Sequence, residues 1–467
     1  MRSTTSQIAT NVLHKHAAKV ETALLPHQKR VIDRLRGTSG LVVAHGVGTG
    51  KTLSSLAAAE EADSALAMVP AALVANYEKE MQKHLRGRTK TKVRSAQTAV
   101  LRQNLTPTDL LILDEAHRAR ETGTKIHQHF KHYPAKKRML LTASPVYNRP
   151  SDIAALVNLA AQDAVLPTGA EFNKQFIKRP AVGWGALLPW AQKKPTLKNK
   201  KKLQKILRSW VDYHNATGQD FPRRRDSLVQ VEMSPTQSDL HDMAWGKLPL
   251  LSRLRIQSGL PPNKKDLASI NQFQSQARQV SGSLRQFGGV ELTPKLERAL
   301  KDLKGNVKKP RHRAVVYSNY LDTLGEYGKA LDAANIPYEM FTGKKSQKER
   351  KRIVQDYNKG RIKTLLISSA GGEGLDLKGT RQIQVLEPHW NDEKLHQVIG
   401  RAIRHKSHAH LPKKEREVHV QRYLTNPRPG LLRRIIGGTP TGVEQVLFDL
   451  SKNKTRLNEE LLDLLQR

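Results

Sequence analysis

Residues 41–52 read LVVAHGVGTGKT, and the fold follows from how that stretch changes character along its length. Leu41 to Ala44 is unbroken apolar sequence, the pattern of a strand buried on both faces, since a half-buried strand would alternate. Gly46, Gly48 and Gly50 then keep side chains out of a tight loop, and Thr52 to Ala62 continues with helical character. A strand that delivers a glycine loop to a helix start points successive backbone amides at one spot, where the helix dipole also favours negative charge. The run Gly46, Gly48, Thr49, Gly50, Lys51, Thr52 therefore reads as a loop that wraps a triphosphate. In that reading Lys51 reaches the outer phosphates and Thr52 holds magnesium. His45 stands where the strict pattern has its first glycine.

Outward from the loop the same rhythm repeats. Apolar runs at Ala65 to Val69, Leu110 to Leu113 and Met139 to Leu141 alternate with helical segments such as Ala72 to Leu85, as a doubly wound parallel sheet requires. The second of these runs ends in LLILDEAH (110–117), which sets Asp114 and Glu115 at the carboxyl edge of the sheet, where ligands of such folds bind. Asp114 suits magnesium through water, and Glu115, across a tight turn, suits the general base that deprotonates an attacking water. A second set of strands is expected at Ala314 to Tyr317, Tyr338 to Phe341, Thr364 to Ile367, Ile383 to Leu386 and Val418 to Tyr423. The expected organisation is an ATP-binding lobe over 1–155, a helical, basic insertion and linker over 156–292, a second α/β lobe over 293–440 and an amphipathic helix over 441–467.

Composition narrows the partner. Eighty Lys and Arg against 42 Asp and Glu leave a formal charge of +38, which points to a polyanion. With no cysteine there is no disulfide, thiolate metal site or cysteine nucleophile. No run approaches the ~18 apolar residues of a membrane span, so an intracellular protein without membrane contact is expected. The first twenty residues are basic without an acid, read as a helix leading into the first lobe rather than a transit peptide.

With these motifs in hand the sequence resembles superfamily-two helicases, in detail the Swi/Snf-like branch and especially the ATPases of large DNA viruses and phages. The resemblance runs from about Leu24 to Leu450 and implies two tandem RecA-like lobes. It implies that Gln28, in LLPHQKRVIDRL, contacts adenine, and that Pro70 and Asn76, in MVPAALVANYEKE (68–80), lie where a DNA backbone is touched. Thr142, Ser144 and Pro145 in LLTASPVYN (140–148) would couple ATP state to lobe closure, with Asn148 at the branch's spacing. Ser318 and Asn319 in VVYSNYLDTL, and Thr342, Gly343 and Arg350 in FTGKKSQKERKRIVQDYN (341–358), fall in segments that grip nucleic acid. Residues 368–391, SSAGGEGLDLKGTRQIQVLEPHWN, resemble the fifth motif, assigning Ser369 and Ala370 to nucleic acid and Gly374 and Asp376 to nucleotide. In HQVIGRAIRHKSH (396–408), Arg401 and Arg404 would be arginine fingers and Gln397 would sense the attacking water. A phosphate loop in one lobe and an arginine pair in the other can close on ATP only if the lobes move.

Three readings of function follow. The first is an ATP- and magnesium-dependent translocase on duplex DNA that remodels DNA or protein–DNA complexes through sequence-independent backbone contacts. The second is a strand-separating helicase on forked DNA or RNA; the third is a packaging or binding protein with a decayed ATPase, against which Lys51, Asp114, Glu115, Arg401 and Arg404 stand. A monomer is expected, working with replication, recombination or transcription proteins in a bacterial cytoplasm, or in a nucleus or viral factory. The lysine run Lys193 to Lys205 is a candidate phosphate contact, Trp184 and Trp190 read as loop packing, and the His127, His129, His132 cluster lacks the acidic partner a metal site needs.

Overall fold

The computed structural model describes residues 20–85, 91–102, 105–146, 149–178, 195–215, 221–249, 276–289, 291–368, 376–387, 393–404, 406–428 and 442–466. These divide into two compact units, one of residues 1–181, 193–217 and 454–467, the other of 182–192 and 218–453.

In the first unit, strands β1 (Gly40–His45), β2 (Ala65–Val69), β3 (Thr91–Ser95), β4 (Thr108–Leu113), β5 (Ala135–Thr142) and a later strand, Val211–His214, form one parallel sheet. A short antiparallel pair, β6 (Ile177–Lys178) and β7 (Thr196–Leu197), precedes that last strand, which is therefore β8. The order across the sheet is β3-β2-β4-β5-β1-β8. Every residue of β1 is buried, and each of Leu41, Val42 and Val43 contributes about 1.5–3 kcal/mol by leaving water. The strand can lie this deep because it starts on glycine: a Cβ at Gly40 would meet the Ala160 carbonyl oxygen at 2.1 Å.

Helices cover both faces. Pro26–Arg36 opens on proline, suited to a first turn, and buries Gln28, Val31, Ile32 and Leu35 at helical spacing. Its carboxyl end is capped by Lys137, a buried lysine of β5 whose Nζ donates to the carbonyls of Leu35, Arg36 and Thr38 at 2.7, 2.7 and 2.9 Å. Burial pushes this ammonium down to about 8. The alanine-rich helix Lys51–Glu60 fills the same side, while Lys200–Trp210 packs Leu203 and Leu207 inward and leaves Lys200, Lys201, Lys202 and Lys205 exposed.

The second unit repeats the plan with β9 (Arg223–Glu232), β10 (Ala314–Ser318), β11 (Glu339–Phe341), β12 (Thr364–Ser368), β13 (Gln382–Val385) and β14 (Glu417–Asn426), parallel in the order β11-β12-β10-β13-β14-β9. The two doubly wound sheets are the expected architecture. Within the stretch expected to be insertion and linker, residues 211–214 and 223–232 are instead edge strands of the two sheets. The reason lies in their surroundings: β9 has one free edge and alternates between exposed and half-buried residues, so it lacks the apolar run of a central strand. Helix Val443–Gln466 buries Glu444 in the second unit and Leu461 in the core of the first.

Candidate active site

Because the strands of the first unit are parallel, the loops after β1, β2, β4, β5 and β8 rise from one edge of the sheet. That edge carries Gly46 to Gly50, Pro70, Asp114 with Glu115, and Ser144. The loop after β1 turns through left-handed backbone at Gly48 and Gly50, with φ of 82° and 79°. A Cβ at Gly50 would also stand 2.4 Å from the Gln28 amide nitrogen, so both the space and the backbone require glycine.

The loop is held from several sides. Lys51 Nζ donates to the His45 and Gly46 carbonyls at 2.8 and 3.1 Å, and Thr49 Oγ1 donates to Gly46 O at 2.9 Å. Gln28 is buried, its Nε2 donates to Thr49 O at 3.1 Å and Gly50 O at 3.4 Å, and its Oε1 accepts the Leu25 amide at 2.9 Å. The glutamine expected at adenine is therefore bonded to the glycine loop after β1.

At the end of β4 the Asp114 amide bonds Met68 O at 2.9 Å, and Asp114 Oδ1 accepts the Glu115 amide at 2.9 Å. Glu115 has φ 50° and ψ 48°, left-handed backbone that costs a non-glycine residue roughly 1–2 kcal/mol. Its carboxylate lies 3.3 Å from His117 Nδ1. The Thr52 hydroxyl and Asp114 carboxylate are hard oxygen donors of the kind magnesium takes. The Ser144 amide bonds Thr142 Oγ1 at 3.0 Å, and Ser55, on the helix after the loop, pairs with the buried Tyr77 hydroxyl at 2.7 Å. Asn76 is exposed beside Tyr77.

Sequence reasoning missed Asp212. Its carboxylate, buried on β8, receives His45 Nε2 at 2.7 Å, Arg30 Nε and Nη2 at 2.8 Å each and Arg34 Nη1 at 3.0 Å. Burial alone would raise this carboxyl, but the Arg30 and His45 hydrogen bonds and the Arg30 charge outweigh it and hold it well below the usual carboxylate range. The available signal was slight: one acid among strand-forming residues in WVDYH.

In the second unit Arg404 Nη1 faces Asp376 Oδ1 at 3.5 Å, and the Leu377 amide bonds Arg401 O at 3.2 Å. Ser407 Oγ accepts the Arg404 amide at 3.2 Å and donates to Ala402 O at 3.0 Å, fixing the turn after helix Glu393–Ala402. Arg350 Nη2 donates to Gly343 O at 2.7 Å, holding the loop of Thr342 and Gly343. The Asn319 backbone amide donates to the buried Glu387 carboxylate at 3.2 Å. Ser318, expected at nucleic acid, is buried, and its hydroxyl donates to Tyr320 O and accepts the Tyr320 amide at 3.0 Å each, shaping the turn that bears Asn319. Ser369, Ala370, Gly374, Asn148, Trp184, Trp190 and the Gln397 side chain lie outside the described residues. His127 is satisfied by Ala119 O at 2.8 Å, and no cluster fit for a metal ion exists among the described residues.

Two family models match the chain: the SNF2-related domain over residues 89–285 and the helicase conserved C-terminal domain over 295–406. A protein of Acanthamoeba polyphaga mimivirus named as an ATP-dependent RNA helicase is 32% identical over 85% of this chain and 88% of its own. The chain belongs to the SNF2-related helicases. This SNF2-related helicase is accordingly a nucleic-acid-dependent ATPase. It is also similar to the Bacillus subtilis ATP-dependent helicase YqhH, 24% identical over 86% of this chain and 75% of that one. The Sulfolobus solfataricus SWI2/SNF2 ATPase core in complex with dsDNA aligns at 16% identity over 97% and 96% of the two chains with a TM-score of 0.39, too low to bear on the fold reading, which rests on the sheets themselves.

Proposed function

We propose that this helicase hydrolyses ATP to move along duplex DNA by its phosphate backbones, remodelling DNA or bound proteins. The observation that carries the reading is the SNF2-related match over residues 89–285, and the charge of +38 supports a backbone-tracking grip. Lys51, with the loop amides, binds the phosphates; Glu115 orients and deprotonates water; Arg401 and Arg404 stabilise the charge that spreads over the phosphoryl oxygens. Thr52 and Asp114 would hold magnesium, which neutralises phosphate charge when bound. Pro70, Asn76, Asn319, Thr342 and Gly343 are the proposed contacts to nucleic acid. A second reading, strand separation on RNA or forked DNA, is favoured by the name of the mimivirus relative.

Steady-state ATP hydrolysis with no nucleic acid, single-stranded DNA, duplex DNA, forked DNA and RNA decides between them. Strongest stimulation by duplex, abolished by Lys51→Ala and weakened by salt, is expected; a preference for forks or RNA would turn the assignment to the second reading.

A further inference from the structure

The end of β1 holds an arrangement that phosphate binding alone does not call for. His45 is fully buried, and its imidazole bonds a carboxylate supplied by β8. Since a carboxylate only accepts, His45 Nε2 carries the proton; Nδ1, buried without a partner among the described residues, is then a bare lone pair, which costs less than a stranded N–H. Burial favours the neutral ring. The hydrogen bond is therefore directional, and it anchors the residue whose backbone carbonyl receives Lys51.

The neighbouring strand residue ties down the rest of the loop entrance. The Gly46 amide donates to His214 O at 2.8 Å, the His214 ring stacks on His27 with centroids 4.0 Å apart, and His27 Nε2 lies 2.9 Å from Thr49 O. Arg30 and Arg34, from helix Pro26–Arg36, close the far side of Asp212. Loop residues 45, 46 and 49 are thus each tied to β8 or to the helix bonded to it. β8 is also the last strand of the first unit before the chain passes into the second at residue 218.

We propose that Asp212, acting through His45, is a positioning residue for the phosphate loop, setting the carbonyl and amide positions into which the triphosphate and Lys51 fit. The proposal rests on reading residues 45–52 as the triphosphate loop. Asp212→Asn would put an amide donor against Arg34 or His45; His45→Leu removes the bond; His45→Gln keeps a donor at nearly the same reach.

The test measures affinity of the full chain for a fluorescent ATP analogue without nucleic acid, together with thermal melting, in these variants, in the Asp212→Asn/His45→Leu double variant and in Lys51→Ala. The expected result is affinity weakened about tenfold in each of His45→Leu and Asp212→Asn, kept within about threefold in His45→Gln, and no weaker in the double variant than in the worse single one. Unchanged affinity in His45→Leu, or effects that simply add in the double variant, overturns it. If Asp212→Asn fails to fold, the contrast between His45→Leu and His45→Gln decides alone. Undiminished binding in Lys51→Ala would instead overturn the loop reading beneath the proposal.

Discussion

Asp212 and Asp376 both answer arginines, one in each unit, and they are held in opposite ways. Asp212 is sealed from water and takes four hydrogen bonds from Arg30, Arg34 and His45, all at 3.0 Å or less. Asp376 is 42% exposed and meets Arg404 at 3.5 Å, with Lys378 at 3.9 Å. Breaking a buried pair leaves a stranded charge, whereas an exposed pair is worth roughly 0–1 kcal/mol. The loop after β1, proposed to bind the triphosphate, is thus held by buried bonds, while Arg404 is lightly held and can change to another anion at little cost.

The sharpest way to break this comparison is to remove the lightly held partner. Arg404→Ala is expected to lower kcat by on the order of 10³ while leaving the KM for ATP near wild type, because the finger role proposed for it acts on charge that appears only in the transition state. Steady-state kinetics with saturating nucleic acid checks it; a risen KM with kcat intact would give Arg404 a binding role instead.

Acid should act on both units. His214 in the first, and His312 and His408 in the second, are lowered to about 4, chiefly by burial. Between about 4 and the unfolded value of about 6.5 the folded chain binds fewer protons than the unfolded one, so stability rises with pH and is lost as pH falls through that window. Asp212, lowered in the folded state, adds a further loss on going below the ordinary carboxylate value of about 4. Thermal melting followed from pH 7 to pH 4 should show a falling midpoint, and a level one would contradict the burial of these rings.

The smallest effect is expected at the exposed pair itself. Asp376→Asn should change kcat by less than about threefold and leave the melting temperature unmoved, any effect of its expected nucleotide contact being read in the KM for ATP. A loss comparable to that of Arg404→Ala would make Asp376 a partner in hydrolysis and erase the contrast.

The legible parts of this chain were those where burial writes itself into composition. β1, β2, β4 and the second half of β5 carry apolar runs because both faces are covered, and the glycines, Lys51, Asp114 and Glu115 stand in a spacing that chemistry restricts. β3, TKVRS, and β9, RRRDSLVQVE, sit at sheet edges with polar sides and leave no such mark. Asp212 was hidden for another reason: its partners His45, Arg30 and Arg34 are more than 160 residues away in the chain, and only the folded sheet brings them together.

The left-handed backbone of Glu115 has a consequence for anyone redesigning this protein. Judged by conformational comfort alone, glycine or asparagine belongs at that turn, and a calculation rewarding only a tighter fold would install one. On the role proposed for Glu115 as the base, a screen for turnover would put the carboxylate back. With that role, position 115 is where the two objectives diverge, the turn giving up conformational ease to carry a carboxylate.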